Sequence, residues 1–296
     1  MTNTKQAHNS IINGFLIILS ILFIVPIILI LSISFTEESA LLRNGYRLIP
    51  IEWTVAAYKV ILLEPALLLK SYVVTIGRTV VGTVVGLLFT TLIAYTISRR
   101  DFLYRRQITF FIFFTMLFHG GLVPTYILIT RYLHLKDNFL VMILPVLLNP
   151  FLVMVMKGFL GKIPLETIES AKIDGASEWR IFYRIVIPLS APALSTVGLI
   201  TAFYHWNDWW LPLLYIDQQN LVPLQLMLYR MMGSIDFLRN NLHLMGAGAS
   251  KVDLASLPNL SMRMAMVVLA AGPMMFIFPF FQKHFVTGLT VGSLKE

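Results

Sequence analysis

Lys162–Leu194 reads KIPLETIESAKIDGASEWRIFYRIVIPLSAPAL, an amphipathic stretch between two apolar blocks and longer than a connection between them needs to be. Pro164 suits a first helical turn, where its missing N–H costs nothing, and Glu166 and Glu169 favour the positive end of the helix dipole. Ile168, Ala171 and Ile173 provide the apolar side. Asp174-Gly175 stops this helix, since glycine accepts the left-handed conformation. Ser177 then caps a second short helix that carries Trp179, Phe182 and Tyr183, interleaved with Arg180 and Arg184. Pro188 and Pro192 mark the return to apolar sequence.

Outward from this loop, six stretches are long enough to cross a hydrocarbon core of ~30 Å, which needs ~20 helical residues. They are Ile11–Phe35, Ser71–Ser98 (interrupted by Arg78), Gln107–Thr130 (with His119 inside), Phe139–Met156, Ile185–Ile216 (with Asp208 in its second half) and Met264–Gln282. Backbone groups in lipid must be satisfied internally, so these spans are predicted helices. The expected fold is an all-α membrane protein, a single domain over residues 1–296 with six transmembrane helices and the loop 162–184 between spans 4 and 5. The first span has a 25-residue uncharged core, longer than the usual ~7–15 of a signal peptide, and no A-x-A-like site follows, so it reads as a retained helix.

Composition agrees. The chain is 57% hydrophobic and 13% charged, with mean hydropathy +0.77, whereas about a quarter of a soluble domain is charged. An ordinary soluble enzyme, a disordered tail and a disulfide-stapled module are excluded. With no cysteine, Cys-ligated metal, thiol catalysis and iron–sulfur clusters are excluded as well, and no metal site is expected. The net charge of +8 has no soluble segment large enough to present it to nucleic acid, so its better use is orientation.

Arg99–Arg106 holds four arginines and Lys157–Arg184 five basic residues, against one Arg and one Lys in Arg131–Asp137. Taking the basic side as cytoplasmic puts both termini and the loops Arg99–Arg106 and Lys157–Arg184 inside. The segments Thr36–Lys70 and Asp217–Arg263 then lie outside, where Thr54–Leu69 and Pro223–Met232 read as short interfacial helices. Pro26, Pro124, Pro145, Pro150, Pro212, Pro273, Pro279 and His119-Gly120-Gly121 fall in or beside spans, either as ordinary kinks or lining a polar path. Gly82-x-x-x-Gly86 permits close helix packing.

The order E-S-A-K-I-D-G-A, then W-R-I-F-Y-R-I-V-I-P-L-S-A-P, resembles the loop of ATP-binding cassette (ABC) importer permeases. Glu169, Ala171, Asp174, Gly175, Ala176, Phe182, Ile185 and Pro188 match that pattern, with Ser170 where a second alanine is usual. Tyr204-His205-Trp206-Asn207-Asp208-Trp209-Trp210-Leu211-Pro212-Leu213 resembles the Trp-Asn segment of the fifth helix in carbohydrate-importing permeases. The C-terminal Gly272-Pro273, Pro279-Phe280-x-Gln282-Lys283 and Gly292-Ser293-Leu294-Lys295 are similar to the tail of the same group, except for a final Glu296. The resemblance implies a type I importer permease for oligosaccharides or polysaccharide fragments. It further implies a second related permease, two ATPase subunits that bind ATP and Mg, and an extracytoplasmic substrate-binding protein. Glu169, Ala171, Asp174, Gly175, Ala176, Trp179 and Phe182 would couple the chain to an ATPase. An interfacial helix, with Trp and Arg at headgroup level, is the competing reading of the same loop.

No G-x-x-x-x-G-K-[ST], H-E-x-x-H or G-x-S-x-G occurs, so the chain is read as a transport subunit and not an enzyme. A pyranose has apolar faces and a hydroxyl rim, which the run Tyr204, His205, Trp206, Asn207, Asp208, Trp209 and Trp210 suits. On a continuous helix Tyr204 and Asp208 share one face, as do Trp206 and Trp210. Asp208 should face the bundle or a water-filled cavity, and an outer aromatic belt is the plainer reading of its neighbours. Arg78 either snorkels outward or pairs with an acid, or else contacts substrate; His119 is a weaker candidate. The rival functions are an ion-coupled secondary transporter and an ABC importer permease for a non-sugar solute.

Overall fold

Apolar runs that must satisfy their own backbone fold as helices wherever proline and glycine permit. The computed structural model describes residues 2–240 and 259–290, and contains there no strand beyond one isolated bridge, Thr36 to Trp53. The C-terminal Gly292-Ser293-Leu294-Lys295, Glu296, and residues 241–258 of the second long outer segment lie outside the described residues.

Among the described residues, three helices are long and apolar enough to cross a membrane unaided. They are Ile12–Ser34 within α1 (Thr2–Ser34), α4 (Pro65–Ser98), and Leu260–Ile277 within α14 (Leu260–Thr290). The other three expected spans are bent pairs. The third joins α5 (Arg105–Leu117) at 112° to Leu122–Tyr132, which comprises α6 (Leu122–Ile127) and a π-helical turn. Gly121 makes the bend with φ +86°, and its N–H donates to His119 Nδ1 at 3.0 Å.

The fourth span departs from the expected continuous helix. It begins with 3-10 turns at Phe139–Met142 and Leu144–Val146, then turns by 55° into α7 (Pro150–Leu160). Pro145 and Pro150 have no N–H to continue the ladder, and Asn149 Oδ1 instead accepts from Phe151 N–H and Leu152 N–H to restart it.

The fifth is bent by 81° between Glu178–Leu189 and α11 (Ala191–Asn207), with Pro188 and Pro192 flanking the break at Ser190. It does not run on to Ile216 as expected. It stops at Asn207, and α12 (Trp210–Tyr215) restarts it.

The chain divides into two compact units, Met1–Leu68 with Leu228–Pro273, and Leu69–Met227 with Met274–Glu296. In the first, α2 (Glu38–Asn44) and α3 (Ala56–Ile61) follow α1. The second lies in the expected interfacial stretch; the first was not expected. Buried Glu38 accepts from Leu260 N–H at 3.0 Å and from Ser261 N–H and Oγ at 3.2 Å, capping donors at the start of α14 that have no partner within the helix. In the other expected stretch, α13 spans Leu224–Asn240.

The second unit holds an apolar core. Ala94, Tyr95 and Ile97 of α4 pack with Leu152, Val153, Met156 and Leu160 of α7, with Ala193 and Val197 of α11, and with the loop 162–184. The Gly82-x-x-x-Gly86 notch has the packing role read from sequence. A Cβ at Gly82 would lie 2.5 Å from His205 Nε2, and one at Gly86 3.0 Å from the Leu147 carbonyl.

Gly82→Ala should therefore destabilise the protein by about 1–3 kcal/mol through overpacking, and His205→Ala in the same chain should restore most of the loss. Thermal unfolding in detergent checks this; equal midpoints for the wild type and Gly82→Ala would mean that the His205 ring turns freely aside.

Candidate functional site

The loop folds as its local chemistry dictates. α8 spans Leu165–Ile173, with Pro164 one residue before it. Gly175 has φ +76°; its N–H donates to the Lys172 carbonyl at 3.0 Å and Ala176 N–H donates to the Ala171 carbonyl at 2.9 Å, the paired bonds of a Schellman cap. Ser177 Oγ accepts from Arg180 N–H to start α9 (Glu178–Ile181). Ile168, Ile181, Phe182 and Val186 turn into the core, and Ala171 and Ala176 pack at its edge. Glu169, Asp174 and Gly175 face solvent, as does Ile173 at 87% exposure and Trp179 at 59%. Trp179 stacks on Tyr183 with ring centroids 5.9 Å apart.

A charged clasp fastens this loop to the end of α4. Lys172 Nζ lies 2.8 Å from Glu178 and 3.1 Å from Asp101. Arg99 binds Asp101 through Nε at 3.0 Å and Nη2 at 2.8 Å, and the Tyr95 hydroxyl donates to Glu178 Oε2 at 2.9 Å. Hydrogen bonds from Arg99 foremost, and from Lys172, hold the Asp101 carboxyl well below the usual carboxylate range. Glu178 foremost, with Asp101, raises the Lys172 ammonium. Burial works against ionised Glu178, yet Lys172 and Tyr95 keep its carboxyl below its ordinary value.

Towards the other end of the same unit lies a buried polar knot. Arg78 is 0% exposed. Its Nη2 pairs with Asp208 Oδ2, Nη1 donates to the Asp208 carbonyl at 2.9 Å, and Nε donates to the Met142 carbonyl at 3.1 Å. Both carbonyls are orphans left by proline. A continuous helix would offer the Asp208 carbonyl the N–H of residue 212, and a 3-10 turn would offer Met142 that of residue 145; both residues are proline. Asp208 Oδ1 meanwhile accepts from Trp210 N–H at 3.0 Å and Leu211 N–H at 3.1 Å, capping α12.

Beside this knot, Tyr204, Asn207, Trp209 and Trp210 are exposed, whereas His205 and Trp206 are buried. Asn207 Nδ2 donates to the Phe203 carbonyl at 2.9 Å, and the Trp209 and Trp210 rings meet edge to face at 5.7 Å. Asp137, at φ +56°, accepts from Asp217 N–H and Gln218 N–H at 2.6 and 2.9 Å. The loop after the third span and the segment after the fifth thus share a side. Loops 99–104 and 162–184 share one through the clasp.

The chain is 34% identical over 291 residues, 98% of its length and 99% of the relative's, to the polygalacturonan/rhamnogalacturonan transport system permease protein YtcP of Bacillus subtilis strain 168. It belongs to the carbohydrate ABC-importer permease family. It is also 37% identical over 272 residues, 92% of this chain and 89% of the relative, to protein LplC of the same organism. A crystal structure of a bacterial ABC transporter involved in import of the acidic polysaccharide alginate superposes with TM-score 0.78 at 28% identity, covering 95% of this chain and 98% of that one. No family model matches.

In this permease the structure sorts the residues singled out from sequence. Phe182 is a core anchor, 1% exposed, and not an outward-facing contact. His205 fills the Gly82 notch. The helical face expected to join Trp206 and Trp210 does not exist, because Pro212 and the Asp208 cap break the helix between them. Of the readings of Arg78, pairing with an acid is the one realised. The clasp residues Tyr95, Arg99, Asp101, Lys172 and Glu178 carry no motif in the sequence; their one signal there is opposite charges in two loops assigned to the same side.

Arg78→Met should cost about 3–5 kcal/mol by leaving buried Asp208 unpaired, with Arg78→Met/Asp208→Asn less damaging; the yield of monodisperse permease and its thermal midpoint report this. Equal stability of Arg78→Met and wild type would show that the pair does not hold the break. The clasp also sets a pH window. Asp101, with a depressed folded pKa, contributes above its unfolded value of about 4, and the contribution goes as pH falls through the folded value; Lys172, with a raised one, contributes below about 10 and loses it as pH rises through the folded value. Hydrogen-exchange protection of residues 172–181, corrected for intrinsic rates, should be flat from pH 5 to 8 and fall both in stronger acid, as Asp101 protonates, and in strong base, as Lys172 loses its proton.

Proposed function

We propose that this permease is one of two membrane subunits through which a binding-protein-dependent ABC importer carries an oligosaccharide, driven by two ATPase subunits. Its loop docks on an ATPase. Ile173 and Trp179 make the apolar contact, Glu169 and Asp174 flank it, and Ala171, Gly175, Ala176 and Phe182 hold the shape. The observation that supports this most is the pairing of an exposed apolar tip with an inner face locked into the core. Exposed apolar surface on a rigid, capped scaffold marks an interaction site, and rigidity lowers the entropy cost of binding. A flat interfacial helix would instead lay its apolar side along the lipid.

ATP and Mg belong to the partner subunits. The chain's Gly158-Phe159-Leu160-Gly161-Lys162-Ile163 has neither the spacing nor the hydroxyl residue of a phosphate-binding loop. The arginine-rich loop supports an orientation in the bacterial cell membrane with both termini cytoplasmic. An extracytoplasmic binding protein would then meet the segments 36–70 and 217–263.

The relatives' names, with their polygalacturonan, rhamnogalacturonan and alginate, support a polysaccharide fragment as substrate. Tyr204, Trp209 and Trp210 offer exposed rings to the apolar faces of a sugar, and Asn207 offers amide hydrogen bonds; His205, Trp206, Asp208 and Arg78 support that surface from behind.

In the complex reconstituted in vesicles, Trp179→Ala should weaken ATPase retention by roughly 30-fold, as loss of an interface hot spot of about 2 kcal/mol does. Gly175→Pro should abolish retention and ATP-driven uptake while the spans still insert. Normal retention and uptake by both variants would overturn the docking assignment. Uptake driven by an ion gradient with no ATPase present would overturn the importer reading itself.

A further inference from the structure

Movement of the loop can reach the Asp208 break by two routes. The direct route, along the fifth span, is mechanically poor. It passes a π-helical turn at Phe182–Val186, then Pro188, the 81° bend at Ser190 and Pro192, and each of these interrupts or weakens the hydrogen-bond ladder.

The other route is α4, which has no proline after Pro65 and runs unbroken to Ser98. It is gripped at its C-terminal end and again partway along its length. At one end Tyr95 and Arg99 hold the loop through Glu178, Asp101 and Lys172. Toward the other, Arg78 holds the Asp208 carboxylate and carbonyl and the Met142 carbonyl. Arg78 and Tyr95 are 17 residues apart, about 26 Å of helix axis at 1.5 Å per residue. Between them, Gly82 and Gly86 let His205 and the Leu147 carbonyl approach the helix backbone, so the rod is also held along its length.

We propose that Lys172 and Glu178 are positioning residues that fasten the loop to α4, so that the loop and α4 move as one body and the stroke reaches the Asp208 break through the second span. This rests on the docking reading above. The clasp forms a closed circuit, since Lys172 bridges Glu178 and Asp101 while Arg99 holds Asp101 and lies 3.9 Å from Glu178. Opening it spares the docking tip of Ile173 and Trp179 and loosens the loop's hold on α4, leaving the apolar contacts of Ile168, Ile181 and Phe182 with Tyr95 and Ile97 to carry the load alone.

The absence of native cysteine permits a direct test on the whole reconstituted complex with Asp101→Cys/Lys172→Cys. Both side chains are partly exposed, at 57% and 38%. Uncrosslinked, this variant should keep its ATPase subunits and its ATP hydrolysis, while uptake per ATP falls roughly three- to tenfold, the size of a coupling change of about 1 kcal/mol. A short bifunctional thiol reagent joining the two positions should then restore uptake per ATP. Restoration separates fastening from mere structural damage, which a crosslink would not repair.

Unchanged uptake per ATP in the uncrosslinked variant would overturn the proposal. So would a further fall on crosslinking, since the loop would then have to slide relative to residue 101 during transport. Failure of the docking reading is distinguishable, because it is read from ATPase retention in Trp179→Ala and Gly175→Pro.

Discussion

A guanidinium removed from water and lipid alike must find an acid and acceptors for its N–H groups, and Arg78 finds all of them where two helices fail. The desolvation cost of such a charge is several kcal/mol, so the site persists only if its partners are fixed. Proline fixes them. Pro212 frees the Asp208 carbonyl and Pro145 frees the Met142 carbonyl, and Arg78 takes both while pairing with the Asp208 carboxylate. Asp208 in turn uses its second oxygen to restart the helix at Trp210. The breaks in the fourth and fifth spans and the cation in the second are one arrangement.

The rest of the second unit is consistent with that constraint. For Arg78 to reach two neighbouring elements, α4 must lie close to both, and Gly82 and Gly86 remove the side chains that would keep them apart. The opposite end of α4 is held by charges outside the spans, where water lowers the cost of ionisation and exposed ion pairs contribute little individually. A network of four charges and a tyrosine compensates by sharing partners, so each side chain already ordered by one bond makes the next with less entropy lost.

Much of this is legible from local sequence, because local chemistry decides it. Six apolar runs give six spans, Gly175 ends α8 as its left-handed φ requires, and His119-Gly120-Gly121 breaks the third span. Other features depend on residues far apart in the chain. That Phe182 is buried while Trp179 is exposed depends on where α4 and α7 lie. Glu38 caps a helix that begins 222 residues later, which no spacing rule reaches. The break at Asp208 falls between. Pro212 four residues on is visible in the sequence, but a lone proline in a span reads as a kink, and its consequence appears only once Arg78 is set beside it.

The same pairing bears on how the protein is powered. In a proton-coupled secondary transporter an intramembrane acid commonly gains and loses the proton as the protein cycles. Asp208, the one acid within the predicted spans, has one oxygen on Arg78 and the other on two helix N–H groups, and its backbone carbonyl is taken as well. Releasing it to an ion would strand a buried guanidinium and uncap α12 together. A carboxylate held so firmly serves as a structural joint. An acid committed to structure in this way is not one that carries protons, and the surface this permease turns outward lies elsewhere, at Ile173 and Trp179 of the capped, clasped loop.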